Sequence, residues 1–187
     1  MGQHFLHKKI SPARSQICTG LLWIERPSTQ GVAAPFDDNS GSFKRNIHHE
    51  IGELQDTDFD RDTWREVIAA YPYSPVEYLA RAVKDLLADT NDCGTLRYIV
   101  KERKTASLAF YAAFLDGLAK EFFPELLTSF QNFTQTGDWG IIDQAVSRGY
   151  DTAKRHAVLI TDLYQEGIRK NDKKWAESEI QKQLLGK

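Results

Sequence analysis

Cysteine is scarce in this 187-residue chain, which has only Cys18 and Cys93. Two cysteines cannot build the multiply stapled framework of a small secreted domain, and these two lack the paired spacing of a thiolate zinc site. Long apolar runs are missing as well. The longest, Ala106 to Leu115, is interrupted by Ser107 and falls far short of the roughly 18 to 20 residues that cross a bilayer, so no membrane partner is expected. Nor is there an excess of charge of one sign, with 24 Lys and Arg against 26 Asp and Glu and a net charge of −2. That balance weighs against a protein that coats nucleic acid, because phosphate binding is driven by concentrated positive charge. The common catalytic signatures are absent too. No P-loop, G-x-G-x-x-G, G-x-S-x-G or H-E-x-x-H occurs, nor any Glu-x-x-His pair of the kind used by di-iron bundles. On these grounds no catalytic residue and no cofactor is assigned.

What is present describes a folded protein. Hydrophobic residues make up 41% and charged residues 27%, an ordinary globular composition. The length suits one domain with a real core and an appended arm. Leu21-Leu22-Trp23-Ile24 is too short for the apolar core of a secretory signal, and a cytoplasmic protein is expected. Residues 1–24 carry Lys8, Lys9 and Arg14 and no acid, a pattern that a flexible basic arm shares with an organellar presequence. The near-neutral total hides a polarised layout: residues 1–49 carry +3, residues 50–94 carry −7 and residues 95–187 carry +2.

Pro12, Pro27, Pro35 and the run Phe36-Asp37-Asp38-Asn39-Ser40-Gly41-Ser42 punctuate the first part with turn chemistry. Residues 1–58 therefore read as a largely irregular arm, with a short strand at 16–25 and a short helix at 47–54. Residues 59–187 read as a single all-α domain, a bundle of about six helices. Asp60 caps the first of these. Ser74-Pro75-Val76-Glu77 combines an N-cap serine, an N1 proline and a capping-box glutamate for the second. A third helical region runs from about Leu96 to Phe122, broken near Thr105. It is apolar nearly all round in its second part, as a central buried helix would be. Pro124 opens a short helix, Asp138 caps a long one to Arg169, and a last amphipathic helix starts at Asp172. No internal repeat suggests a solenoid.

Several residue groups are candidates for function. Asp56-Thr57-Asp58-Phe59-Asp60-Arg61-Asp62 alternates carboxylates like a calcium loop, but Arg61 and Val67 stand where an EF-hand needs glycine and glutamate. It reads instead as an acidic first turn opposing a helix dipole. His48, His49 and Glu53 are weak metal candidates, since His49 and Glu53 lie one helical turn apart. His156 follows Gly149 and Ala153 on one helical stripe, where small neighbours leave room for a cofactor in an alternative reading as a bundle enzyme or cofactor carrier. Arg97, Lys101 and Lys104 fall at i, i+4 and i+7 with Arg103 beside them, a basic stripe that gives a second alternative, nucleic-acid association. The leading expectation is a non-enzymatic protein–protein interaction module: an adaptor, inhibitor or small subunit of a larger assembly, or a homo-oligomer. It rests on an aromatic-rich body, 21 Phe, Trp and Tyr in all, with Trp23, Phe36, Trp64 and Trp175 as partner-binding candidates.

Overall fold

In the computed structural model, which describes residues 39–55 and 60–186, every regular element is a helix and no strand occurs among the described residues. The helices are α1 (Asn39–Gln55), α2 (Arg61–Ala70), α3 (Pro75–Thr90), α4 (Thr95–Lys101), α5 (Thr105–Ala113), α6 (Gly117–Phe122), α7 (Pro124–Thr136), α8 (Trp139–Lys170) and α9 (Lys173–Leu185). The helix starts follow local chemistry. The side chains of Asp60, Ser74, Asp138 and Asp172 each accept a hydrogen bond from a backbone N–H of the first turn, satisfying donors that a helix leaves orphaned. Glu77 turns back to accept from the Tyr73 N–H at 2.6 Å. That bond holds Tyr73 at φ +59, outside the range most side chains favour.

The described residues hold nine helices rather than about six. The region from Leu96 to Phe122 accounts for much of the difference, because it is three short helices. The chain breaks at Arg103, with φ +50, and again between Ala113 and Gly117, which opens α6 with φ +50, a conformation that cannot lie inside a right-handed helix. The central position expected for α5 is also taken by other elements. The most extensive packing is between α3 and α8, and α8 packs further on α7 and α9. α5 instead leaves Phe110 50% and Phe114 67% exposed. The core lies where Val76, Leu79, Val83 and Leu86 of α3 meet Ile142, Val146 and Ile160 of α8, with Trp64, Leu96, Leu108 and Phe123 around them. Each such side chain contributes about 1.5–3 kcal/mol by leaving water.

The expected helix at 47–54 is the end of a longer one, α1, which packs on α3 and α4. Where the sequence suggested a boundary at 58/59, residues 39–55 therefore join the same unit as the later helices. The cause is a close backbone approach. A Cβ at Gly52 would meet the Ala88 carbonyl oxygen at 2.1 Å, so only glycine lets α1 sit this near α3. The buried Asn91 seals the contact by donating to the Gly52 carbonyl at 2.8 Å, while its own carbonyl accepts from the Cys93 N–H at 3.0 Å. At the far end the Tyr71 hydroxyl donates to the Lys173 carbonyl at 3.3 Å, joining α2 to the start of α9 across 102 residues of chain. The expected strand at 16–25 lies outside the described residues.

Candidate functional site

The close seating of α1 on α3 brings four ionisable side chains together. His49 and Glu53 sit one turn apart on α1, and Asp85 and Asp89 sit one turn apart on α3. His49 Nδ1 donates to Asp89 Oδ1 at 3.0 Å, and His49 Nε2 lies 3.3 Å from Glu53 Oε1 and 4.0 Å from Asp85 Oδ1. Tyr111 of α5 donates its hydroxyl to the second oxygen of Asp89 at 2.7 Å. Lys84 Nζ meets Glu53 Oε1 at 2.7 Å. The imidazole is thus held by carboxylates at both nitrogens. Its pKa is pushed up to about 9, first by the hydrogen bond to Asp89, then by the charges of Asp89, Asp85 and Glu53, against the opposing effect of burial.

A cleft of about 440 Å³ opens beside His49 and Asp89, edged by Phe110 and Phe114. A second, of about 430 Å³, runs past Tyr78, Asp85 and Asp116. Both are lined by Asp89, Tyr111 and Ala119, so the two make one trough over α3, α5 and the start of α6. Its exposed aromatics are Phe110, Phe114 and Tyr78, the last 57% exposed. Its carboxylates are Asp85, Asp89 and Asp116; of its basic groups, His49 is held by Asp89, and Arg81 is tied to Glu77 at 2.7 Å.

The residues singled out from sequence fall in different places. Of the metal candidates, Glu53 joins His49 in the cluster. His48 points elsewhere, stacking on the Tyr98 ring with centroids 4.0 Å apart and donating to the Cys93 carbonyl at 3.4 Å. Among the partner-binding aromatics, Trp23 and Phe36 lie outside the described residues. Trp64 is corrected to a core residue, 2% exposed, because it lies on the buried face of α2 and leaves no indole surface for a partner. Trp175 is half-buried under the Lys170 ammonium, 3.4 Å from its ring centroid.

The basic stripe is divided. Arg97 is half-buried and committed to α8, donating to Asp143 at 2.7 Å and Ser147 at 3.0 Å. Lys104 lies over the Tyr98 ring at 5.5 Å. Lys101 and Arg103 are exposed. His156 is half-buried, edge-on to Phe122 at 4.8 Å, and its buried Nδ1 has no hydrogen-bond partner among the described residues. Burial first, and then the charge of Arg155, hold its pKa below the ordinary imidazole value. The space beside Gly149 is filled: the Phe123 ring lies 2.6 Å from where a Cβ would stand.

Asp85, Asp89 and Tyr111 were not read from sequence. The one signal available was the Asp85/Asp89 pair at i, i+4 on the polar flank of α3, and its meaning depends on the register of α1.

Residues 40–183 match the C-terminal domain of a family of unknown function, DUF6866, and the chain belongs to that family. No curated protein and no solved structure matches the chain.

Proposed function

We propose that this member of the DUF6866 family is a non-enzymatic helical interaction module, an adaptor, inhibitor or small subunit, and that its docking face is the trough over α3, α5 and α6. The partner segment it fits is one in which apolar and basic side chains alternate. The observation that carries this reading is Phe114, 67% exposed in a cleft continuous with three carboxylates. An exposed aromatic beside a concave surface is a typical anchor of binding energy. Carboxylates along the same surface select cationic partners and steer their approach. A cytoplasmic site of action, expected from the sequence, goes with this reading.

The test is co-purification from the native source with tagged wild type and with Phe114→Ser and Tyr78→Ser, followed by reconstitution with the purified partner. Wild type is expected to retain a stoichiometric partner that either variant loses, with affinity falling as salt rises. Identical partner sets for all three proteins reject the trough. The nucleic-acid alternative has less support, since Arg97 is neutralised by Asp143. A salt-dependent gel shift lost in Lys101→Ala with Arg103→Ala would favour it instead.

A further inference from the structure

We propose that His49 Nε2, Glu53 and Asp85 form a binding site for a divalent first-row transition ion of the zinc type, open to water on the Asp85 side. His49 and Asp85 also line the trough, so the ion site shares its edge, but ion binding needs no partner to be read.

His49 and Glu53 already stand at ligand spacing, and Asp85 is close enough for its side chain to swing in. One ligand atom from each of the three residues lies within 4.8 Å of the others. The Nε2 to Oε1 separation of 3.3 Å is close to the edge, about 3.4 Å, of a tetrahedron built on metal–ligand bonds of roughly 2.1 Å. The ligands come from two helices, so an ion here would be chelated across a packed interface rather than held by one flexible segment. The imidazole is also oriented as metal-bound histidines are. Such a histidine presents one nitrogen to the ion while its other N–H donates to a carboxylate that is itself hydrogen-bonded. Here Nδ1 donates to Asp89, Asp89 accepts from the Tyr111 hydroxyl, and Nε2 is left facing Glu53 and Asp85.

Charge points the same way. The cluster holds three carboxylates, Glu53, Asp85 and Asp89, around one imidazole and one ammonium, Lys84. Carboxylates outnumber the basic groups that face them. The carboxylate with the weakest hold is Asp85: its closest cationic atom, His49 Nε2, is 4.0 Å away, and its side chain is 57% exposed. A divalent ion would take the position of the Nε2 proton and draw Asp85 in. Lys84 need not leave, because each Glu53 oxygen has a second lone pair. A donor set of one imidazole and two carboxylates favours zinc, iron(II) or manganese(II) over calcium and magnesium, which take all-oxygen shells.

The full chain, stripped of metal, is titrated calorimetrically with zinc chloride, and separately with calcium and magnesium chloride. One zinc ion per chain is expected, with calcium and magnesium much weaker. Asp85→Asn, at an exposed position, and His49→Gln are each expected to abolish saturable binding at this site. Asp89→Asn and Tyr111→Phe remove the orienting bonds and are expected to weaken zinc by about 10- to 100-fold. Zinc-edge X-ray absorption of the wild-type complex reports one imidazole with oxygen neighbours. Absence of zinc binding overturns the proposal. Binding unchanged in both Asp85→Asn and His49→Gln overturns it too, since the ion would then sit elsewhere. Because zinc is read without any partner present, this result and the trough experiment can fail separately.

Discussion

Two histidines illustrate how environment sets chemistry one side chain at a time. His49 gains carboxylate partners on folding and His156 loses water, so their pKa values move in opposite directions. In the unfolded chain each titrates near 6.5. His156 resists protonation when folded, so the stability linked to it is whole above about pH 6.5 and is lost as the pH falls through its lowered folded value. His49 in the metal-free chain has the reverse sign: its contribution is complete below 6.5 and is lost as the pH rises through about 9. Urea unfolding of wild type and His156→Gln at pH 7.5, 6 and 5 checks the acid limb. The wild-type midpoint is expected to fall further between pH 7.5 and 5 than that of the variant. Equal falls would detach His156 from the acid response.

Among the elements, α1 owes its place to the smallest residue in it. Gly52→Ala sets a methyl against the Ala88 carbonyl at 2.1 Å, backbone against backbone, where neither side can rotate away. The expected cost is about 1–3 kcal/mol, concentrated on α1. Hydrogen exchange should show α1 amides losing protection while those of α8 keep theirs. Uniform loss across both helices would mean that α1 is inseparable from the core.

The same helix marks how far sequence reading reaches. The N-caps at Asp60, Ser74 and Asp138 were legible because a cap is decided within four residues. The His49/Glu53 spacing was legible for the same reason. Asp89 was not, standing 40 residues from His49, nor was Tyr111, 22 residues beyond Asp89. The depth to which Gly52 lets α1 sink sets Asp89 opposite His49, and the placing of α5 beside α3 brings in Tyr111. The break before Thr105 was legible, but the second, between Ala113 and Gly117, was hidden by composition. A strongly apolar run signals a buried helix, yet the chain turns before α6, and Phe110 and Phe114 finish outside. Small residues on α8 signalled space beside His156, but the Phe123 ring fills it from the segment between α6 and α7.

For the molecule as a whole, α3 and α8 form the axis on which the other described helices depend. Ile160 is fully buried on α8, within the core it shares with α3. Ile160→Ala removes apolar contact and leaves a cavity, for an expected loss of about 2–5 kcal/mol. Loss at this position is expected to be global. Tryptophan fluorescence and far-ultraviolet circular dichroism should report one shared urea transition at a lower midpoint, and separated transitions would show that the helices unfold in parts.

The hydrogen bond from Tyr71 to Lys173 has a consequence for the order in which the chain assembles. Closing a flexible loop of 102 residues costs about 4 kcal/mol of chain entropy, far more than one hydroxyl–carbonyl bond returns. The Tyr71–Lys173 bond is therefore expected to form only after the packing of α3 and α9 on α8 has shortened the path between its two ends. Contacts around Tyr71 then belong to the closing stage of folding. Weakening them would speed unfolding and leave the folding rate nearly unchanged.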